Sequence, residues 1–172
     1  MIIRDAAAGD LPAITAIYAH HVLHGTGTFE EAPPGEAEIA ARVRKVQEAG
    51  CAWLVAENEG EIVGYGYFAQ IRDRSAYRFT AEDSIYVRDD VRGMGVGKAL
   101  VQELLNRATE RGFRQMIAVI GDSDNVGSIG LHASLGFRNV GVMKAVGLKF
   151  GQWVDVVTMQ RPLGEAERTL PN

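Results

Sequence analysis

The stretch from Arg92 to Ala99 reads RGMGVGKA and carries three glycines at alternate positions between two cations. It separates a β-like run from a helix-like run, so it is predicted to form a strand-to-helix turn. Glycine lacks a Cβ, which lets backbone N–H groups converge on an anion, and a helix N-terminus adds partial positive charge. Arg92 and Lys98 add full charges. The pattern favours binding of a pyrophosphate-like anion. The alternative is that the glycines only permit a tight turn and close packing.

Two common phosphate-binding motifs do not fit this stretch. A P-loop would need glycine where Arg92 stands and Ser or Thr where Ala99 stands. The dinucleotide motif G-x-G-x-x-G, started at Gly93, fails because Lys98 occupies the position of its last glycine. The pattern that remains is R-x-x-G-x-G, formed by Arg92, Gly95 and Gly97.

The glycine turn lies within an alternation of strand-like and helix-like periods. Strands are predicted at 1–6, 52–57, 61–70, 80–87, 115–120, 139–145 and 153–160, and helices after Asp10, after the loop 24–35, over 96–110 and within 125–136. Asp10 is expected to cap the first helix. A hairpin signal at 58–60 makes the early strands antiparallel, while the strand–helix–strand unit over 84–120 requires a parallel pair. The fold class is therefore α/β with a mixed sheet.

Composition and charge limit the possible functions. The chain has 172 residues, 47% of them hydrophobic, and a net charge of −4. This length predicts one domain over 1–163, followed by a polar tail at 164–172. An acidic balance argues against a nucleic-acid surface, and no apolar run approaches the length of a membrane span. The start of the chain has no signal-peptide pattern, so cytoplasmic residence is expected.

The R-x-x-G-x-G turn resembles the acetyl-CoA signature of the GCN5-related N-acetyltransferases, or GNATs. Within that family the chain is most similar to the phosphinothricin and methionine sulfoximine acetyltransferases, through the stretches TAEDSIYV, SIGLHASLGF and VGLKFGQWVDV. The resemblance covers all but about the last nine residues. It implies the GNAT fold, a mostly antiparallel sheet of about seven strands with helices on both faces. It also implies acetyl-CoA as acetyl donor, a small amino-acid-like acceptor and a homodimer.

Glu82 is the candidate general base. Acetyl transfer needs a deprotonated amine, and an α-ammonium has a pKa of about 8, so a base matters at neutral pH. The resemblance assigns that role to the glutamate of TAEDSIYV. The alternative is a solvated carboxylate paired with Arg72 or Arg78. The neighbouring Asp83 is expected to face the other side of the sheet.

His132 is the second candidate for catalysis, because most GNATs have a tyrosine at this point of the late helix. The resemblance implies that His132 is either an acid/base group or a group that orients substrate. The alternative is a hydrogen-bonded structural histidine. His20, His21 and His24 are interpreted as surface or loop residues. His20 and His24 have metal-ligand spacing, but no Glu or Cys nearby completes a set, so no metal site is expected.

The resemblance also implies a set of residues that bind acetyl-CoA. The backbones of Tyr86 and Val87 would align the pantetheine, and the Val87 N–H would polarise the acetyl oxygen. The alternative is that Tyr86 and Val87 are ordinary strand residues and that Asn125 is a helix cap. The cofactor set is Tyr86, Val87, Arg92, Gly93, Met94, Gly95, Val96, Gly97, Lys98, Asn125 and Ser128.

The acceptor side is expected to contain an arginine for a substrate carboxylate. Arg72 and Arg78 lie in the loop before the Glu82 strand and suit that task. The resemblance adds Phe29 and Lys149, partly across a dimer interface. The alternatives are an exposed basic loop and aromatic residues that belong to a satellite core.

Three functions follow from these interpretations. The first is acetylation of a small α-amine. The second keeps the fold and the donor but takes a polyamine, an aminoglycoside or a protein amine, and the arginine-rich loop argues against such a cationic acceptor. The third is an acyl-CoA sensor without catalysis.

Overall fold

The computed structural model describes residues 1–172, which form one seven-stranded sheet flanked by four helices. The strands are β1 (Ile2–Asp5), β2 (Trp53–Asn58), β3 (Glu61–Gln70), β4 (Thr80–Val87), β5 (Gln115–Gly121), β6 (Arg138–Lys149) and β7 (Gln152–Pro162). The helices are α1 (Leu11–His24), α2 (Glu36–Glu48), α3 (Val96–Glu110) and α4 (Val126–Ser134). This order confirms the predicted succession of elements.

The sheet order is β1-β2-β3-β4-β5-β7-β6, and only β4 and β5 are parallel. The predicted mixed, mostly antiparallel sheet is therefore confirmed. Glu59 and Gly60 both have positive φ angles, of 53° and 83°, which is the geometry of a tight hairpin between β2 and β3. The last two strands extend further than predicted, because they pair as one long hairpin with a register shift between Met143 and Gly147.

The helices bury two apolar clusters, one on each side of the sheet. α1 and α2 pack their buried faces against the aromatic side chains Trp53 and Tyr65. α3 packs Leu100, Leu104 and other residues of its predicted stripe against the opposite face, together with residues from β4, β5 and β7. The amphipathic spacing of the helices is thus sufficient to place them on opposite faces. None of the four helices has the length and apolar character needed to cross a membrane.

The start of α1 differs from the prediction. α1 begins at Leu11, but the Asp10 carboxylate makes no cap hydrogen bond to the helix. It accepts the Ala7 N–H at 2.8 Å and pairs with the Arg4 guanidinium at 2.7 Å. The prediction that Asp10 caps α1 is therefore wrong, because the charged Arg4 of β1 binds the same carboxylate.

β4 and β5 form a fork that opens the sheet. They pair only from Thr80 to Asp83 on β4, opposite Gln115 to Ala118 on β5. Beyond Asp83 and Ala118 both strands continue, to Val87 and Gly121, without pairing to each other. The fork leaves strand edges with unpaired backbone groups facing a gap, which is an opening where an extended ligand can take the place of a strand.

Candidate active site

The gap between β4 and β5 is the mouth of a cleft of about 580 Å³. Its walls come from the separated ends of β4 and β5, the loop after α1, the glycine turn and α4. Lining residues include Ser84, Val87, Arg92, Gly97, Asn125 and Ser128. Several predicted cofactor residues, distant in the sequence, are therefore brought to one cavity.

The glycine turn offers backbone donors that the protein itself does not use. Gly93 and Gly95 have φ angles of 79° and 80°, and no atom lies within 4 Å of the position of an added Cβ. The N–H groups of five residues have no acceptor in the chain, namely Gly93, Gly95, Val96, Gly97 and Lys98. The turn is thus an N-terminal helix end with unsatisfied donors in open space, as an anion site requires.

Gly97 fits both interpretations of the glycine pattern. A Cβ at this position would lie 2.6 Å from the Leu131 side chain, so glycine allows α3 and α4 to approach each other closely. Gly97 also lines the cleft, and its N–H is free. Packing therefore explains Gly97 but not the positive φ angles of Gly93 and Gly95.

The cations near the turn differ in their partners. The Arg92 guanidinium is exposed and pairs with Asp89 at 2.5 Å, and Asp89 also contacts His20 Nε2 at 2.7 Å. Lys98 is exposed and makes no ion pair. Arg92 lines the cleft, so a bound anion would compete with Asp89 for its guanidinium. Met94 is also exposed at the turn, whereas Val96 is buried.

The register of β4 decides which backbone groups face the cleft. Arg88 N–H donates to the Val63 carbonyl at 2.9 Å, and Tyr86 lies opposite Tyr65, so the main chain of Tyr86 bonds to β3. The alternation turns the N–H groups of Ile85 and Val87 the other way, toward the fork. Tyr86 lines the cleft, but its neighbours supply the free amides.

His21 is a cleft residue, and its interpretation as a surface residue is wrong. Its Nε2 contacts the Val87 carbonyl at 2.8 Å, and because a carbonyl only accepts, this nitrogen carries the proton. Burial lowers the pKa of the His21 imidazole and outweighs the opposing effect of that hydrogen bond. His21 is a neutral donor that holds the last residue of β4.

Glu82 is half-buried and has no partner. Its carboxylate takes part in no ion pair and in no side-chain hydrogen bond, which removes the alternative of a pair with Arg72 or Arg78. Burial raises the pKa of the Glu82 carboxyl, the neighbouring charge of Asp83 raises it further, and the charge of Arg72 lowers it. Glu82 shares a strand face with Ser84, which lines the cleft. An unpaired carboxylate with a raised pKa beside a cleft is suited to accept a proton.

His132 and Asp83 form a buried pair on the other face of β4. His132 Nε2 lies 2.9 Å from the Asp83 carboxylate, and the two side chains are 2% and 1% exposed. His132 Nδ1 lies 2.8 Å from the Ser128 carbonyl. Burial lowers the pKa of the His132 imidazole, but the hydrogen bond and charge of Asp83 and the Ser128 carbonyl outweigh it, so the pKa is raised. The expected opposite orientation of Asp83 and Glu82 is confirmed.

The start of α4 carries two of the predicted cofactor residues. Asn125 Oδ1 accepts the Ser128 N–H at 3.2 Å, so Asn125 is the helix cap that was considered as its alternative role. Its Nδ2 donates to the Gly121 carbonyl at 3.4 Å, which ties the cap to the end of β5. Both Asn125 and Ser128 still face the cleft.

The four predicted acceptor residues lie in different environments. The Lys149 ammonium is buried and donates to the carbonyls of Gly25 and Thr28, both at 2.8 Å, so it holds the loop after α1 instead of standing free.

The other three predicted acceptor residues are less buried. Arg78 donates to the Ser75 carbonyl at 3.0 Å and lies over the Phe79 ring. Phe29 packs against Gly147, where a Cβ would come within 2.4 Å of its ring. Arg72 is exposed and makes no ion pair.

Sequence reasoning missed the pairing of Asp83 with His132 and the contact of His21 with β4. Both contacts join elements far apart in the chain, separated by 49 and 66 residues. The only available signal was the strand alternation, which directs Asp83 toward the face where α4 packs.

Comparisons with known proteins agree with this geometry. Residues 15–137 match the model of the acetyltransferase (GNAT) family. The chain is 54% identical to a phosphinothricin N-acetyltransferase of Alcaligenes faecalis, over 99% of this chain and 85% of the relative. It is 43% identical to an L-methionine sulfoximine/L-methionine sulfone acetyltransferase of Pseudomonas aeruginosa, over 92% of each chain. The crystal structure of a GNAT phosphinothricin acetyltransferase from Sinorhizobium meliloti in complex with acetyl-CoA superposes with a TM-score of 0.97 at 50% identity, covering 99% of this chain and 92% of the other.

Proposed function

The chain belongs to the GNAT family and is an acetyl-CoA-dependent N-acetyltransferase, and we propose that it acetylates the α-amine of a small amino-acid-like molecule. The acceptor is of the methionine sulfoximine, methionine sulfone or phosphinothricin type, which are the substrates named for its relatives. The observation that supports this proposal most strongly is the combination of an open cleft lined by free backbone N–H groups and an unpaired, half-buried Glu82 beside it.

The residues of the cleft fit acetyl-CoA. When bound, acetyl-CoA supplies an acetyl group activated as a thioester. The free N–H groups from Gly93 to Lys98 suit its diphosphate, with Arg92 and Lys98 as neighbouring charges. The unpaired edge of β4, with the N–H groups of Ile85 and Val87, suits the amides of an extended pantetheine chain.

Two groups on β4 act on the reacting atoms in this proposal. Glu82 takes the proton of the acceptor ammonium, directly or through a water, so that the amine can attack the thioester carbon. As the N–C bond forms, the C–S bond breaks, and the leaving thiolate takes up the second proton that the amine nitrogen loses. The raised pKa of Glu82 makes it a better base than an ordinary carboxylate. The Val87 N–H, directed into the fork, donates to the acetyl oxygen as negative charge develops there.

His132 has a structural role in this proposal, because both of its ring nitrogens already have partners within the protein. A proton donor to the leaving thiolate would need a nitrogen that faces the cleft. Of the roles that the sequence left open, the geometry supports the hydrogen-bonded structural histidine.

Arg72 is the proposed partner of the acceptor carboxylate. It is exposed, unpaired and close enough to Glu82 to lower the pKa of that carboxyl. Arg78, in contrast, is occupied by the Ser75 carbonyl and the Phe79 ring. A guanidinium near the base holds an α-amino acid by its carboxylate with the amine directed to Glu82.

Thiol release from acetyl-CoA, followed with a panel of acceptors, tests the proposal. The panel contains ordinary amino acids, methionine sulfone, methionine sulfoximine, phosphinothricin, spermidine and a peptide. Turnover is expected with the amino-acid-like acceptors. Turnover with only spermidine or the peptide would contradict the proposed acceptor and indicate a polyamine or a protein amine. Tight binding of acetyl-CoA without any turnover would indicate an acyl-CoA sensor.

We propose that the protein forms a homodimer through the β6–β7 hairpin. β6 is an edge strand, and its side chains Val142, Met143, Val146 and Leu148 are exposed, as are Phe150 and Trp153 at the turn. Such an apolar edge is rarely left to solvent. Trp153, 68% exposed, is its largest side chain.

Sedimentation analysis of the wild type and of a Trp153→Glu variant tests the dimer. The wild type is expected to sediment as a dimer and the variant as a monomer. Leu170→Glu is the matched control, because Leu170 is 91% exposed but lies in the C-terminal tail. A monomeric wild type, or a Trp153→Glu variant that stays dimeric, would contradict the proposal. Cytoplasmic residence stays a prediction from the sequence.

A further inference from the structure

The Asp83–His132 pair lies at the apex of the fork between β4 and β5. Asp83, opposite Ala118, is the last residue of β4 that pairs with β5. His132 reaches this point from α4 and also lines the cleft. The pair therefore connects the point where the sheet opens with the helix that forms one wall of the opening.

α4 is also held by Ile129 and Leu131, which pack against the core on the α3 side of the sheet but are only partly buried. His132 is the one fully buried side chain among its nine residues. The same helix carries Ser128 toward the cleft, and its Leu131 packs at the glycine turn next to Gly97. Because His132 is the only fully buried side chain of this short helix, and the only one bonded to β4, its partner fixes how closely this cleft wall approaches the fork.

The imidazole is fixed from both ends. The Ser128 carbonyl can only accept, so Nδ1 carries a proton and donates it at 2.8 Å. Nε2 is engaged by Asp83 at 2.9 Å, and the Phe137 ring packs edge-on against the imidazole at 4.9 Å. The ring can neither turn nor exchange a proton with the cleft unless one of these contacts breaks.

We infer that Asp83 is a positioning residue which, through His132, anchors α4 at the apex of the fork and so sets the width of the acetyl-CoA cleft. The pair acts by geometry and not by proton transfer. This inference rests on the proposed function for its meaning in the reaction, but the anchoring itself is a property of the free protein.

The chemistry of the pair offers a variant that separates geometry from charge. In Asp83→Asn the side-chain amide can donate to Nε2 of a neutral imidazole while Nδ1 still donates to Ser128, so the contact survives without charge. Asp83→Ala removes the contact and leaves Nε2 buried without a partner. Asp5→Asn is the matched control, because it makes the same change in the exposed pair of Asp5 with Arg107, on β1 and α3.

Calorimetric titration with acetyl-CoA measures the anchoring without turnover. Asp83→Ala is expected to weaken the Kd for acetyl-CoA about tenfold. Asp83→Asn and Asp5→Asn are expected to stay within about threefold of the wild type. A slowly exchanging His132 Nδ1 proton, observed by NMR, should persist in the wild type and in Asp83→Asn and be lost in Asp83→Ala. A wild-type Kd in a folded Asp83→Ala variant would overturn the inference.

Steady-state kinetics provide the second readout. The positioning role predicts a raised KM for acetyl-CoA in Asp83→Ala with kcat changed little, and near wild-type values of both in Asp83→Asn. If His132 instead delivers a proton that depends on the charge of Asp83, Asp83→Asn would lower kcat by about 100-fold at an unchanged Kd. Absence of turnover in the wild type would contradict the proposed function. The Kd values of the wild type, Asp83→Ala and Asp83→Asn for acetyl-CoA would still test the anchoring.

Discussion

Glu82 and Asp83 are adjacent carboxylates on β4 with opposite surroundings. Glu82 is half-buried beside the cleft and has no partner, whereas Asp83 is fully buried and bound to His132. The alternation of a strand sends one to the α1–α2 side of the sheet and the other to the α3–α4 side. In the functions proposed above, the same chemical group serves proton transfer on one face and anchors a helix on the other. What decides between these roles is whether the carboxylate has a partner.

The largest expected effect is that of Glu82→Gln on turnover. The substitution keeps the size of the side chain but removes the base, so kcat at pH 7 is expected to fall by about 100-fold to 1,000-fold. Because burial raises the pKa of Glu82, the wild-type rate should fall as the pH drops through that raised pKa. The variant should lack this limb and lose less at high pH, where the acceptor amine deprotonates unaided. Thiol-release rates across pH measure both effects, and an unchanged rate at pH 7 would remove Glu82 from the mechanism.

The second-largest expected effect is a loss of stability when the other carboxylate, Asp83, is replaced. Asp83→Ala leaves the His132 imidazole buried without its partner, which is expected to lower the free energy of unfolding by about 3 kcal/mol. Glu82→Ala is the matched control and should change it by less than about 1 kcal/mol, since Glu82 has no partner to lose. Urea denaturation measures both variants. Equal losses for the two would show that the difference in surroundings has no energetic consequence.

A smaller effect is expected from the arginines on the Glu82 side. Arg72→Ala should raise the KM of the amino-acid acceptor about tenfold, because it removes the unpaired guanidinium proposed to hold the acceptor carboxylate. It should also move the acidic limb of the rate profile to higher pH, since Arg72 lowers the pKa of Glu82. Arg78→Ala is the control and should change the KM by less than about twofold. A larger change for Arg78 would reverse the two assignments.

The smallest effect is the pH dependence of stability that comes from the Asp83 side. The pKa of His132 is raised above the ordinary 6.5 in the folded protein. Its contribution to stability is therefore complete below pH 6.5 and is lost as the pH rises through the higher folded pKa. The groups that face the imidazole are Asp83 and the Ser128 carbonyl, while Glu82 faces the opposite side of the sheet. Urea midpoints for the wild type should fall over this range, and Asp83→Asn should flatten the fall. A midpoint that rises with pH would contradict the raised pKa.

Much of the fold could be predicted from the sequence because its apolar residues recur at clear helical and strand spacings. The stripe of α3 and the glycines after α3 and α4 mark elements that the structure confirms, and the strand–helix–strand spacing predicts the one parallel pair. The glycine turn was recognisable because Gly93 and Gly95 serve a backbone conformation that few other residues adopt.

The side-chain partners could not be predicted in the same way. The sequence predicts Lys149 at the acceptor but not the hydrogen bonds that its ammonium donates to the carbonyls of Gly25 and Thr28, more than a hundred residues away. His21 was expected at the surface and instead holds Val87. Such contacts depend on how distant elements pack, and no local period or motif reports them.

Single-turnover acetyl transfer by Glu82→Gln and Asp83→Asn, measured side by side at saturating acetyl-CoA and methionine sulfoximine, tests the central claim most directly, because it isolates the chemical step. We predict that Glu82→Gln slows this step by at least about 100-fold, while Asp83→Asn stays within about threefold of the wild type. The reverse order, or equal losses in both variants, would contradict the assignment of proton transfer to one face of β4 and anchoring to the other.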